Sequence, residues 1–258
     1  MATCILLQGL LLRASASEVD KLLVQESSAS IRKGGGSALI MDNHTSSAVR
    51  VLASASQVPG RDVSSYQGNV NWAAAYGKGA RFAYVKATEG TGYVNPYFAQ
   101  QYNGAYKVGM IRGAYHFARP DKSGGAAQAK YFLAHGGRWS RDGKTLPGAL
   151  DLEGGCRRLT QRQMAAWISV FISAYHSATG VYPVLYTSAS WYNSCVGRHG
   201  DFSSTCPLWL ACYCSSASSL PFHWSYYTIW QYADHGAFPG DQNVFNGSLK
   251  RLRALALG

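Results

Sequence analysis

The 258-residue sequence predicts an α/β fold, a single closed (β/α) barrel of about eight strands. Apolar runs of strand length alternate with helical patterns at a spacing of roughly 25–35 residues, which argues for parallel βαβ units. That many strands in one domain favour closure over an open sheet. The polar residues supply a further sign: Asp62, Lys86 with Glu89, His116, Asp151 with Glu153, Tyr186 and Gln231 all fall at strand C-terminal ends, where such barrels carry their chemistry.

Residues 1–58 do not read as part of this fold. Ile5 to Leu12 form an apolar centre before Ala14-Ser15-Ala16, a weak secretory signal because no positively charged n-region precedes it. The rest is rich in Ser, Ala and Gly, a linker composition. A misassigned N-terminus would explain the extension equally well. The barrel is expected over residues 59–258, starting with a strand at 61–64.

A helix begins at Trp72 behind Asn71 as N-cap, and 82–87 is the second strand. The region 95–108 is helical, with Tyr97, Phe98, Tyr102 and Ala105 on one face. A strand at 110–117 and a helix at 125–135 follow. After the strand bearing Asp151 and Glu153 comes an amphipathic helix, Gln161–Thr179, whose apolar positions include Met164, Trp167, Val170 and Phe171. Strands at 181–186, 208–211 and 227–232 complete the set, and Leu249–Leu257 closes as a helix.

The chemically informative stretch is Ala149-Leu150-Asp151-Leu152-Glu153 before Gly154-Gly155. Side chains alternate along a strand, so the two acids share one face roughly 6–7 Å apart and repel each other. An edge strand with two solvated acids is the plain alternative. A carboxyl pair with pKa values driven apart supplies an acid and a stabilising base to one bond. The glycine step favours this second reading, since it opens the strand end to an approaching ligand.

Composition narrows the partner. Tyr (17) and Trp (7) are abundant against 13 acidic residues, which suits a carbohydrate groove as well as a core. The net charge of +11 implies an anionic partner. Lys and Arg form no block, so nucleic acid is not expected, whereas a bacterial wall fits. Nothing is apolar for long enough to span a membrane. Neither a cofactor nor a metal is expected.

Taken in order, several motifs resemble glycoside hydrolase family 25, the Chalaropsis-type lysozymes. They are Gly60-Arg-Asp-Val-Ser-Ser-Tyr-Gln-Gly68 with Trp72, Val85-Lys-Ala-Thr-Glu-Gly90, Gly113-Ala-Tyr-His-Phe117, Leu150-Asp-Leu-Glu153, Tyr182-Pro-Val-Leu-Tyr-Thr187, Ile229-Trp-Gln-Tyr232 and Asp241-Gln-Asn-Val-Phe245. The resemblance implies an irregular, flattened barrel with short helices. It also implies hydrolysis of the β-1,4 bond between N-acetylmuramic acid and N-acetylglucosamine in peptidoglycan. The protein is expected to be secreted and monomeric. The family's acidic quartet falls on Asp62, Asp151, Glu153 and Asp241. Glu153 matches the general acid, its pKa raised by Asp151, which stays ionised. Substrate assistance is favoured over a carboxylate nucleophile. Tyr66, Lys86, Glu89, Tyr115, His116, Tyr186, Trp230, Gln231 and Tyr232 are the expected substrate contacts. Tyr115, Tyr186, Trp230 and Tyr232 could equally be core residues, and Lys86 with Glu89 a structural ion pair.

Two rival readings remain. A chitinase-like barrel would need a third acid where Ala149 stands, and a non-catalytic wall-binding protein would not need all the acids. Cys212 and Cys214 depart from the family, which leads one to expect a basic or small polar residue there. Of the six cysteines, Cys206 and Cys212 lie roughly 20 Å apart in extended chain, too far to pair. Cys212 and Cys214 are badly placed for a normal bridge along a strand. A Cys156–Cys195 disulfide is expected, and the resemblance implies one in this place.

Overall fold

The computed structural model of the chain describes residues 57–236 and 239–258; the proposed leader and linker lie outside them. Nine strands form one sheet: β1 (Gln57–Val63), β2 (Phe82–Glu89), β3 (Tyr93–Val94), β4 (Ile111–Phe117), β5 (Ala149–Asp151), β6 (Val184–Thr187), β7 (Leu208–Ala211), β8 (Ile229–Ala233) and β9 (Asp241–Asn246). Their order is β1-β9-β8-β7-β6-β5-β4-β2-β3, and a further β1–β2 pairing closes all but β3 into a barrel. β1 begins at Gln57, two residues ahead of the expected domain start. The barrel is not wholly parallel, because β9 runs antiparallel to both β8 and β1. Antiparallel entry brings its first residue, Asp241, to the end where the parallel strands finish, in register with Asp62.

Among the described residues the α-helices are α1 (Trp72–Gly77), α2 (Phe98–Lys107), α3 (Gly125–Ala134), α4 (Gln161–Thr179), α5 (Ala189–Cys195) and α6 (Leu249–Leu257). Asn71 caps α1 by accepting from the Ala74 N–H at 3.0 Å. A reciprocal Thr160–Gln163 capping box starts α4, and left-handed Gly180 ends it. Between them, Met164, Ile168, Phe171 and Tyr175 are fully buried, each contributing about 1.5–3 kcal/mol through apolar burial.

Two boundaries and two whole elements differ from expectation. The strand expected to carry Asp151 and Glu153 stops at Asp151, with only the Leu152 N–H adding one more bond, to Tyr186 O at 2.9 Å. Gly154 and Gly155 then take positive φ and turn the chain out. β6 starts at Val184 rather than 181 because Pro183 has no N–H to give a ladder. The antiparallel β9 and the short α5 had no counterpart in the sequence reading.

One core cluster lies between the sheet and α3–α5, a second inside the barrel, and a third under α1 and α2. Inside the barrel the Trp209 indole stacks on Tyr84 at 4.7 Å and meets Tyr186 edge-on at 4.9 Å. These rings need small neighbours. A Cβ on Gly60 would run into the Phe82 ring, and one on Gly113 into the Tyr84 ring. Tyr84 cannot yield easily, since its hydroxyl donates to Pro147 O at 2.9 Å. Gly113→Ala is therefore expected to destabilise the barrel by about 1–3 kcal/mol, lowering Tm by roughly 2–4 °C per kcal/mol. An unchanged melting curve would contradict this packing account.

Candidate active site

The barrel mouth is a cleft of about 350 Å³ lined by Asp62, Tyr66, Lys86, Glu89, Tyr115, Asp151, Glu153 and Asp241, among others. Strand alternation delivers most of them: Gly60 and Asp62 on β1, Tyr84 and Lys86 on β2, and Gly113 and Tyr115 on β4 face inward in layers. Asp241 arrives from β9 by reversed direction, and Glu153 from the loop beyond β5.

Asp62 and Asp241 are joined through one amide. Gln231 Nε2 donates to Asp62 Oδ2 at 2.9 Å and to Asp241 Oδ2 at 3.1 Å. Gln231 Oε1 accepts from the Tyr186 and Tyr213 hydroxyls at 2.9 and 3.0 Å. Two hydroxyls on one side and two carboxyls on the other decide which way the amide faces. Asn243 Nδ2 donates to the same Asp62 oxygen at 2.6 Å, and its Oδ1 accepts from Trp209 Nε1 at 2.8 Å. Burial pushes Asp62 up to about 6 against the pull of these two amide hydrogen bonds. Burial, then the Asp62 charge, pushes Asp241 up to about 7.

Asp151 has no such support. It is 6% exposed, and its Oδ1 is buried with no hydrogen-bond partner among the described residues. Burial first, and then the Glu153 charge, hold its pKa well above the usual carboxylate range, with Lys86 pulling down. Such an oxygen costs about 1–3 kcal/mol while unpaired, so the cleft suits a ligand that brings a donor. Glu153 is exposed two residues on. Desolvation by the cleft walls raises it, while Lys86 and Arg157 lower it. The sequence suggested that Asp151 would lift Glu153 and stay ionised. In the structure the larger upward push falls on Asp151, because the buried member of the pair loses more hydration.

Lys86 and Glu89 form an ion pair at 2.9 Å and also wall the cleft. Glu89 continues to Arg119 at 3.0 Å, and Arg119 to Asp121 at 3.0 Å. Tyr66 is 94% exposed at the rim, and Tyr115 lines the wall. Tyr186 and Gln231 are buried and bonded to each other.

Three expected contacts lie elsewhere. His116 follows inward Tyr115 and so faces the helices; it is fully buried, bonded to Thr88 Oγ1 at 2.7 Å and Gln128 Oε1 at 2.9 Å. Burial lowers its pKa to about 4, making it a neutral core residue and not a groove wall. Trp230 alternates outward beside inward Gln231, and its Nε1 donates to Cys212 O at 2.7 Å. Tyr232 bonds Arg61. Asn243 and Tyr213 were missed. Asn243 stands two residues after Asp241 in a strand, the spacing already used for Asp151 and Glu153, so its place was available to the same argument.

Cys156 and Cys195 are bridged, with Cα atoms 5.0 Å apart. Cys212 and Cys214 are also bridged, at 5.3 Å, which corrects the expectation for that pair. β7 ends at Ala211, so the segment turns and brings the two Cα atoms closer than the roughly 6.6–7.2 Å of an extended i, i+2 pair. Cys206 is free and buried.

A sequence profile described as Glycosyl hydrolases family 25 matches residues 61–241. The N,O-diacetylmuramidase of Chalaropsis sp is 52% identical over 210 residues, covering 78% of this chain and all of that protein. Lysozyme M1 of Streptomyces globisporus is 46% identical, covering 79% of this chain and 73% of that protein. Among solved structures, a muramidase from Trichobolus zukalii superposes with TM-score 0.77 at 53% identity, covering 78% of this chain and 99% of its own. A family GH25 lysozyme from Aspergillus fumigatus gives TM-score 0.76 at 48% identity, covering 78% and 100%.

The Asp62 pKa sets a pH dependence with a definite sign. A carboxyl whose folded pKa is raised from 3.8 to about 6 contributes most below pH 4, and that contribution is lost as pH climbs through about 6. Urea unfolding of Asp62→Asn and wild type should therefore diverge across pH 4–6, with the variant gaining relative stability as pH rises. A difference that is flat in pH would contradict the raised pKa.

Proposed function

Because the chain belongs to glycosyl hydrolases family 25, we propose that its carboxyl-lined cleft cleaves the β-1,4 bond between N-acetylmuramic acid and N-acetylglucosamine by a retaining, substrate-assisted route. The protein is a glycoside hydrolase, and it hydrolyses peptidoglycan. The relatives named above carry the class of reaction. One feature of this cleft carries the route: the Asp151 carboxyl lines it, and among the described residues none donates to its Oδ1.

Glu153, exposed and held up in pKa, donates its proton to the glycosidic oxygen as the bond breaks. An acetamido N–H on the muramic residue supplies the donor that Asp151 lacks. With that N–H bonded to Asp151, the acetamido carbonyl oxygen becomes the stronger nucleophile and closes on the anomeric carbon. Water, deprotonated by Glu153, then opens the cyclic intermediate with overall retention. Asp62 and Asp241 are poorer nucleophile candidates, since the Gln231 amide occupies an oxygen of each. They suit orientation of the sugar and control of the local charge. Ala149 leaves the position of a third strand acid empty, so the chitinase-like arrangement is not supported.

The disulfides and the +11 charge suit secretion toward an anionic wall, with 1–56 as an extension outside the catalytic domain, which begins with β1 at Gln57. Among the described residues no helix is long and apolar enough to cross a membrane.

Glu153→Gln should lower turnover by about 10²–10⁴-fold while the protein still sediments with wall material. Asp151→Asn should lose nearly as much. Release of reducing ends measures both, and a Gln variant keeping about a third of wild-type turnover would overturn the acid assignment. Salt gives an independent check, because screening falls to about 10 Å at 0.1 M. Rates on intact walls should drop with salt while those on a short soluble oligosaccharide hold. Equal sensitivity on both would remove the steering role of the charge.

A further inference from the structure

Tyr213 occupies an unusual backbone position. It lies between Cys212 and Cys214, which are bridged with Cα atoms 5.3 Å apart. Cys212 is held by both of its backbone groups: its N–H donates to Gln231 O at 3.1 Å, and its carbonyl accepts from Trp230 Nε1 at 2.7 Å. A residue enclosed in so small a ring has little φ/ψ freedom. From there the half-exposed Tyr213 extends to the mouth and donates to Gln231 Oε1 at 3.0 Å. The other donor to that oxygen, Tyr186, is buried at 2.9 Å. Gln231 Oε1 is thus gripped by buried Tyr186 and by half-exposed Tyr213.

We propose that Tyr213, held by the Cys212–Cys214 bridge, is a positioning residue that keeps the Gln231 amide aimed at Asp62 and Asp241 during hydrolysis. The inference rests on the glycosidase reading above. The last torsion of a glutamine is broad, so with one hydroxyl gone the amide can swing and its Nε2 can leave one carboxyl. The consequence is electrostatic. The groups facing this pair are Asp151 on β5, Glu153 beyond it, Asp234 after β8, Tyr115 on β4, Tyr186 on β6 and Tyr213 itself, while Lys86 on β2 acts on Asp151 and Glu153. Burial and Glu153 raise Asp62, and the amides of Asn243 and Gln231 lower it. Loosening Gln231 removes one of those two restraints.

The test compares pH–rate profiles of wild type, Tyr213→Phe, the Cys212→Ser/Cys214→Ser double variant, and the combination, on solubilised glycan strands. Tyr213→Phe should lower kcat by about 3–10-fold, the size of one hydrogen bond, with KM and Tm nearly unchanged. Its acid limb should move to higher pH. The double serine variant should shift the same way, and adding Tyr213→Phe to it should bring little further loss. Alkylation of denatured, unreduced protein should label Cys206 and spare Cys212 and Cys214. An unshifted profile for Tyr213→Phe, or a loss confined to KM as for a sugar platform, would overturn the positioning role. Additive losses, or labelling of Cys212 or Cys214, would overturn the part played by the bridge. Wild type releasing no reducing ends would instead refute the underlying glycosidase reading.

Discussion

Beside Glu89, which is paired with Lys86 and Arg119, four further carboxyl groups, Asp62, Asp151, Glu153 and Asp241, share one cleft. Like charges in a poorly solvated site cannot all ionise, so the placement of each amide proton decides which carboxyl does what. Gln231 gives one N–H to Asp62 and one to Asp241, and Asn243 gives another to Asp62. Among the described residues nothing is given to Asp151 Oδ1. That unequal distribution separates two supported acids from one that awaits a donor and one, Glu153, that stands free at the mouth.

Much of the remaining architecture serves that distribution. Gln231 is oriented by Tyr186 and Tyr213, and Asn243 by Trp209. Trp209 keeps its place through the Tyr84 and Tyr186 rings, and the Tyr84 ring needs the side-chain space left by Gly113. The reversed direction of β9 puts Asp241 beside Asp62 and Asn243 one layer below. On the opposite wall the chain leaves β5 through left-handed Gly154, Gly155, Arg157 and Arg158. Left-handed backbone is unfavourable for arginine. The Cys156–Cys195 bridge and the contact from Arg157 to Asp121 at 3.9 Å tie that segment down, and Glu153 stays beside Asp151.

The alternation that identified Asp151 and Glu153 as one-faced was sound for the inward direction but too long by two residues. Paired glycines end a strand as readily as they open it to a ligand, and pattern alone does not say which residue is last. The barrel class was legible because βαβ spacing is local. The antiparallel β9 was not, since its inward positions Asp241 and Asn243 are polar and hide the apolar alternation that marks a strand. His116 followed from strand-end position without regard to parity; its neighbour Tyr115 already claimed the inward face. The Cys212–Cys214 bridge escaped because the strand was carried past Ala211, which would hold those cysteines extended. In each case the missing information was where a strand stops or which way it runs, a matter of tertiary pairing.

The central claim, that Asp151 acts through the substrate's acetamido group, is tested most directly by changing that group and not the protein. Soluble glycan strands would carry acetyl, fluoroacetyl, difluoroacetyl or trifluoroacetyl amides on the muramic residue at the cleaved bond, and kcat would be compared across the series. Fluorine withdraws electrons from the carbonyl oxygen that must attack. A steep, progressive fall in kcat with fluorination is predicted, and a kcat indifferent to fluorination would mean that a protein carboxylate is the nucleophile.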